Sequence, residues 1–445
     1  MAPPDLDPGW LAAAVALAPL LAFLAVGAAL LVGRAPSERG VARAVVGALW
    51  LSLGCALTAT AWWALHPHAV LATTLPFGGP FLVDALSAPM LVLVSVITLW
   101  VGRFAIPYLH REPGFARFFL LLALFAAGMQ LLVGAGSLEV LAIGWELVGL
   151  SSALLIGFFQ ERASPVRAGL RAFGTYRLCD VGLFMAVAWL HHAAGDTRWP
   201  EPTRALPTTA LALCLLLAAM GKSAQFPFSG WLARAMEGPT PSSALFYGAL
   251  SIHAGPYLLL RAAPLLEHAP VVRGALVLVG LLTALQATLA WRVQTDVKGA
   301  LAQGVLTQVG LMFVEVGLGL YSLALLHLVA HAGLRCLQFL RAPSALRQAQ
   351  AWRAALRDTP PPSLVWLHRF VPRAWAPRLY RLAMERFAVD ALYERWLLHP
   401  LLRLGRALDA AERRWVGTLS AAEVPPPTPA RPAETSPSNP STGAV

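Results

Sequence analysis

Apolar residues in this chain fall in long, nearly uninterrupted runs separated by short polar stretches. A run of about 20 apolar residues with almost no charge is the length that crosses a bilayer as an α-helix. About eleven such spans are read, at residues 9–33, 41–65, 83–107, 116–134, 137–160, 168–194, 208–236, 243–263, 273–293, 299–318 and 320–341. The seventh contains Pro227 and Gly230 and is expected to break into two half-helices. After residue 341 the pattern changes. Residues 342–376 mix Arg and Pro and read as a cytoplasmic linker. Residues 377–420 read as an amphipathic helix lying at the membrane interface, and residues 421–445 as a disordered tail. The expected fold is an all-α polytopic membrane protein with its transmembrane domain at 1–341. A β-barrel would show short alternating segments instead.

Composition agrees. The chain is 57% hydrophobic and 13% charged, against about 25% charged residues in a soluble domain. The net charge of +11 does not point to nucleic acid, because most arginines sit in short loops between spans or in the C-terminal region. Arg34, Arg39 and Arg43 surround the first loop, Arg103, Arg111 and Arg117 the third, and Arg162, Arg167 and Arg171 the fifth. The second, fourth and tenth loops have no Lys or Arg, and the sixth, with Arg198 and Arg204, is an exception. This asymmetry predicts an outward N-terminus and a cytoplasmic C-terminal region. The N-terminus lacks the basic flank of a cleaved signal, so the first span is expected to be retained. Cys55, Cys179, Cys214 and Cys336 are scattered and read as small apolar residues.

Charge at membrane depth is expensive and marks either an ion path or a buried pair. Glu146, Arg177, Asp180, Lys222, His253, His327, His331 and Arg335 all fall within spans. Of the 34 basic residues only Lys222 and Lys298 are lysine. Arginine holds its proton, whereas a poorly hydrated lysine can release it. A chain that otherwise uses arginine therefore keeps lysine where a removable proton matters. Glu146 is the expected counter-charge of Lys222, and Arg177 with Asp180, three residues apart on one helix face, is an expected ion pair. Lys298 lies at the mouth of span ten, where it either carries protons or anchors the helix. His327, His331 and Arg335 recur every fourth residue and line one face over roughly 12 Å. Imidazoles in series can pass protons at neutral pH. A zinc site would need a third ligand that the sequence does not offer, so no metal is expected.

Five stretches carry a family likeness: GWELVGLSSALLIGFFQ, RAFGTYRLCDVGLF, KSAQFPFSGWLARAMEGPTPSSAL, QTDVKGALAQGVLTQVGLMF and HLVAHAGLRCLQFL. In order, they resemble the antiporter-like subunit L of bacterial NADH:quinone oxidoreductase (complex I), related to Mrp-type antiporter subunits. VDALSAPMLVLVSVITLWVGRFAIPYLHREPGFARFF looks like its early helices, and FAVDALYERWLLHPL like a segment near its end. The resemblance implies an inverted-repeat fold in the bacterial inner membrane, with other membrane subunits as partners. It implies that Glu146 and Lys222 form the first half of a proton or cation channel, with Pro227 breaking the helix beside Lys222. Arg177 and Asp180 match a pair at subunit contacts, and His327 and His331 match central histidines joining two half-channels.

Three features depart from the family. Arg335 stands where the family has a central lysine. The pattern stops near residue 341, before a second broken helix with its own lysine, so the fold is expected to be incomplete in its C-terminal half. Tyr247 replaces a histidine of span eight, while His253 is new. KSAQFPFSGWL and YLHREPGFARFF also look like the membrane subunit of two-component, DabB-type inorganic-carbon uptake systems, which pairs with a large soluble zinc protein. The readings are thus an ion-translocating subunit, a carbon-uptake subunit, or a non-conducting structural subunit. With no cysteine cluster or nucleotide motif, no cofactor and no redox chemistry are expected on this chain.

Overall fold

The computed structural model describes residues 9–34, 36–66, 70–195, 197–199, 208–294, 296–342, 372, 375–388, 391, 395 and 399–419. Ten helical segments among these are long and apolar enough to cross a membrane. They begin with α1 (Gly9–Leu31), α2 (Glu38–Leu65), α3 (Ser87–Tyr108), α4 (Phe115–Gly134), α5 (Leu138–Ile156) and α6 (Ala163–Ala194). A shorter α7 (Thr208–Lys222) resumes after a break as α8 (Gly230–Arg234). The next span, Thr240–Arg261, is wholly buried and is made of α9 (Thr240–Ser243), a π-type turn at Ala244–Ala249, a 3-10 turn at Ser251–His253, and α10 (Ala254–Arg261). After α11 (Ala263–Glu267) come α12 (Pro270–Trp291), α13 (Val297–Gly317) and α14 (Tyr321–Arg341).

The buried core is apolar and continuous from α1 to α14, and glycines set its closest helix crossings. A Cβ on Gly144 of α5 would stand 2.6 Å from the Gly128 carbonyl of α4, and one on Gly310 of α13 would stand 2.7 Å from the Gly280 carbonyl of α12. Without these methyl groups the backbones approach to packing distance, which drives helix association where lipid supplies no hydrophobic contrast.

Two features differ from expectation. The charge-free second loop contains an antiparallel hairpin, β1 (Leu71–Thr74) with β2 (Pro80–Val83), in register Leu71 to Val83. Its apolar alternation is too short to stand out beside the spans. Span eight, expected as one helix, is interrupted twice in its middle, and Pro256, just beyond, leaves the Ile252 carbonyl without its helical N–H partner.

The contact pattern divides the chain into Met1–Asp390 and Ala391–Val445. In the first unit, α15 (Ala376–Met384) lies against α12. The second contains α16 (His399–Leu419), whose described side chains are exposed. Two helical pieces therefore occupy the region expected to be one amphipathic helix, with Phe387 and Ala388 at positive φ (60° and 52°) before the second. The expected linker at 342–376 and the tail at 421–445 lie almost wholly outside the described residues.

Candidate functional site

The break after Lys222 builds the first part of the site. Helix α7 ends where Ala224 takes a positive φ of 50°, followed by a cis Phe226–Pro227 bond. A helix end leaves carbonyls unpaired, and in a membrane each must find a partner. Trp231, beyond the break, donates its ring N–H to the Gly221 carbonyl (3.1 Å). Thr283 and Gln286 of α12 hold the other side, Thr283 Oγ1 accepting from Phe226 N (2.9 Å) and Gln286 Oε1 from Ser229 Oγ (3.0 Å). The next interruption is tied to this one: Ser223 Oγ donates to the Ile252 carbonyl (2.7 Å) and accepts from Gly255 N (3.2 Å).

Lys222 is fully buried. Its Nζ donates to the Trp145 carbonyl (3.0 Å) and lies over the rings of Trp145 and Tyr176, 4.8 and 4.7 Å from their centroids. Gly149 makes the room, since a Cβ there would stand 2.8 Å from Nζ. Desolvated cation–π contacts are worth about 2 kcal/mol or more each, so ring faces supply much of what water would otherwise provide.

Glu146, the expected counter-charge of Lys222, is held by Arg177 and not by direct contact with the ammonium. Arg177 stands between the carboxylates and takes both, pairing closely with Glu146 and with Asp180 Oδ2 at 2.7 Å. Asp180 also accepts the Trp145 ring N–H (2.5 Å). The reason is reach: Arg177's forked guanidinium can serve two carboxylates at once, while the single ammonium of Lys222 is held by a carbonyl and two rings. Trp145 bridges the groups, with its carbonyl on Lys222 and its ring N–H on Asp180. The four charged side chains sum to zero when Lys222 is protonated.

The second part is a histidine line. His253 Nε2 and His331 Nδ1 are 2.9 Å apart, and Arg335 Nε donates to His331 Nε2 (3.1 Å). Arginine can only donate, so His331 Nε2 accepts. A neutral His331 then carries its proton on Nδ1 and gives it to His253 Nε2, which places the His253 proton on Nδ1. That atom is buried and faces the Ala249 carbonyl without good hydrogen-bond geometry. The line thus has a fixed direction and ends at Arg335. His327 does not join it by a hydrogen bond. Its ring centroid lies 6.0 Å from that of His331, and it pairs instead with Glu315 (2.8 Å) and Gln308 (3.0 Å) of α13. Lys298 lies apart, in the first turn of α13 near Tyr108 and Asp296. It is on the order of 15 Å along the axis from Gln308.

In the breaks of the two spans, the buried atoms Gln225 Oε1 and Ser251 Oγ have no hydrogen-bond partner among the described residues. Buried polar atoms of this kind are places that water occupies.

Sequence reasoning missed Trp145, Tyr176, Gly149, Gln308 and Glu315. Glu315 meets the criterion that singles out Glu146, an acid within a span, but lies so near the span's end that it passes for an interfacial charge. The others carry no charge to flag them. Also missed is a buried clamp near the hairpin, where Arg261 pairs closely with Asp84 and donates to Tyr257 Oη (2.9 Å). Burial alone would raise the Asp84 carboxyl, but the Arg261 charge and hydrogen bonds outweigh it and hold the carboxyl below its ordinary range.

A family model described as NADH:quinone oxidoreductase/Mrp antiporter, transmembrane, matches residues 135–359. A model for the N-terminus of chain 5 of NADH-ubiquinone oxidoreductase (complex I) matches residues 71–119. NADH-quinone oxidoreductase subunit L of Campylobacter jejuni is 40% identical over 272 residues, covering 60% of this chain and 46% of that protein. The probable inorganic carbon transporter subunit DabB1 of Halothiobacillus neapolitanus is 38% identical over 284 residues, covering 61% and 51%. The chain thus spans about half the length of these curated relatives. In the structure of the Mrp complex from a Dietzia species, one chain superposes with a TM-score of 0.63 at 28% identity, over 73% of this chain and 37% of that one.

Proposed function

This chain belongs to the NADH:quinone oxidoreductase/Mrp antiporter transmembrane family, and we propose that it translocates protons or another cation as a membrane subunit of a complex I-like or Mrp-like assembly. The observation that carries the reading is Lys222, an ammonium with no exposed surface, set on two ring faces beside Glu146, Arg177 and Asp180. Ring faces attract a cation but accept no proton, so they hold Lys222 without sequestering what it carries. When the proton leaves, the cluster keeps one surplus negative charge, which draws the next proton in. Water at the unpartnered polar atoms of the two broken spans would connect Lys222 with His253, which contacts His331 directly. The path runs from the Glu146–Lys222 cluster toward the histidines, with Lys298 a separate group at its cytoplasmic side.

The chain sits as a multi-pass protein in the bacterial inner membrane, N-terminus outward and C-terminal region cytoplasmic, as the loop arginines suggest. Redox chemistry would lie on partner subunits, and this chain would hold no cofactor.

The similarity to an inorganic carbon transporter subunit, at nearly the same identity as to subunit L, favours a second reading. There the same path would drive carbon uptake with a large soluble zinc protein. Proton flux into proteoliposomes, read with an entrapped pH dye, tests the shared claim. Flux should be lost in Lys222→Met, and an unchanged flux would leave a structural subunit. Mass spectrometry of the chains purified with this one then separates the two assemblies.

A further inference from the structure

Polar side chains that face lipid at membrane depth are rare, because they have no water and must find partners. The seam between α13 and α14 has a row of them. Glu315 and His327 keep 17% and 21% of their side-chain surface exposed, and Gln308, Arg335 and Gln338 are only half-buried. On α14 this row borders an exposed apolar strip that includes Leu323 and Leu334.

Arg335 is the unbalanced member. It donates to His331 Nε2 (3.1 Å) and Gln338 Oε1 (2.9 Å), and no carboxylate among the described residues pairs with it. In the other cluster Arg177 and Lys222 together are balanced by Glu146 and Asp180, and His327 is matched by Glu315 if protonated. An arginine held only by neutral acceptors in a low-dielectric setting leaves a full charge unpaired.

We propose that the α13–α14 seam docks a transmembrane helix of another membrane subunit, one that presents an aspartate or glutamate to Arg335 near the middle of the membrane. Charge complementarity selects the carboxylate, and the alternatives fit less well. A lipid phosphate fits less well, because Arg335 lies about 9 Å of helix axis from the end of α14 and its guanidinium is held there by His331 on one side and Gln338 on the other. A second copy of this chain brings no spare acid, since Glu146, Asp180 and Glu315 are already engaged. The acids of residues 343–398, namely Asp358, Glu385, Asp390 and Glu394, each lie within four residues of an arginine, so a segment carrying one to mid-membrane would bring another unpaired cation. This interface is independent of whether the chain conducts.

A photocrosslinking amino acid at Leu334, in membranes of the cells that make the full chain, tests it, with the same group at Leu21 of α1 as control. The expected adduct joins Leu334, and not Leu21, to a membrane protein whose crosslinked helix contains an aspartate or glutamate. Association should fall about 30-fold or more in Arg335→Leu, the lower end for truncating one side of a desolvated charge pair, and persist in Arg335→Lys. Arg335→Glu combined with the acid-to-arginine change in the partner should restore it. If Arg335→Leu loses its monodisperse gel-filtration peak, the charge-swapped pair decides, and failure to restore the adduct overturns the proposal. Adducts with lipid alone, with a second copy, with this chain's own C-terminal region or with a helix lacking an acid also overturn it, as does an undiminished yield in well-folded Arg335→Leu.

Discussion

Replacing Gly149 by alanine sets two calculable effects against each other. An alanine Cβ would stand 2.8 Å from Lys222 Nζ, 3.6 Å from Tyr176 Cδ2 and 3.8 Å from an Arg177 terminal nitrogen. A carbon and an ammonium nitrogen need about 3.5 Å, so Nζ must retreat by about 0.7 Å. Its bond to the Trp145 carbonyl, now 3.0 Å, would lengthen past the normal hydrogen-bond range. Losing a charge-assisted bond is worth about 1.5–3 kcal/mol. In the other direction, alanine favours a helix over glycine by about 1 kcal/mol. The net expectation is destabilisation by about 0.5–2 kcal/mol. Thermal unfolding of the purified protein should show a lower midpoint, and flux in proteoliposomes should fall roughly tenfold, equivalent to 1.4 kcal/mol. A higher midpoint with wild-type flux would mean that only helix propensity had changed. It would refute the claim that Gly149 holds the ammonium in place.

Asp180→Asn should destabilise the protein more than Glu146→Gln, because Asp180 serves both Arg177 and the Trp145 ring N–H while Glu146 serves Arg177. Chemical denaturation of the two variants would rank them, with about 3–5 kcal/mol expected for breaking a buried pair. Asp84→Asn strips Arg261 of its carboxylate and should lower the unfolding midpoint at neutral pH. Because Asp84 is held below its ordinary range, its stabilisation is present above about pH 4 and fades as pH falls through its folded value. The gap between wild type and Asp84→Asn should therefore be constant at neutral pH and narrow in acid, and a gap independent of pH would contradict the pairing. Arg335→Lys replaces the separate Nε and Nη1 donors that hold His331 and Gln338 with one terminal ammonium, which should weaken the bond to His331 Nε2 and leave it freer to accept protons. Flux should rise, and an equal or lower flux would show that Arg335 does not terminate the line.

The number, order and approximate limits of the membrane spans could be read from the sequence. Hydrophobic length is a local property that does not depend on what a helix packs against. The break after Lys222 was legible for a similar reason, since proline acts on its own turn. So were most of the charged residues at membrane depth, because a charge in an apolar run stands out wherever it ends up. Tertiary structure alone decided the partners. Arg177, not Lys222, holds Glu146; His253 meets His331 from a span 78 residues away in sequence; and His327 turns to Glu315. Which polar groups meet depends on how helices cross and on which side chain has the reach and the geometry to satisfy two neighbours at once. The interruption of span eight belongs with these. Pro256 marks a weak point there, since it has no N–H for the Ile252 carbonyl one turn earlier, but the irregular turns are held because Ser223 of the neighbouring broken helix donates to that carbonyl and accepts from Gly255 N.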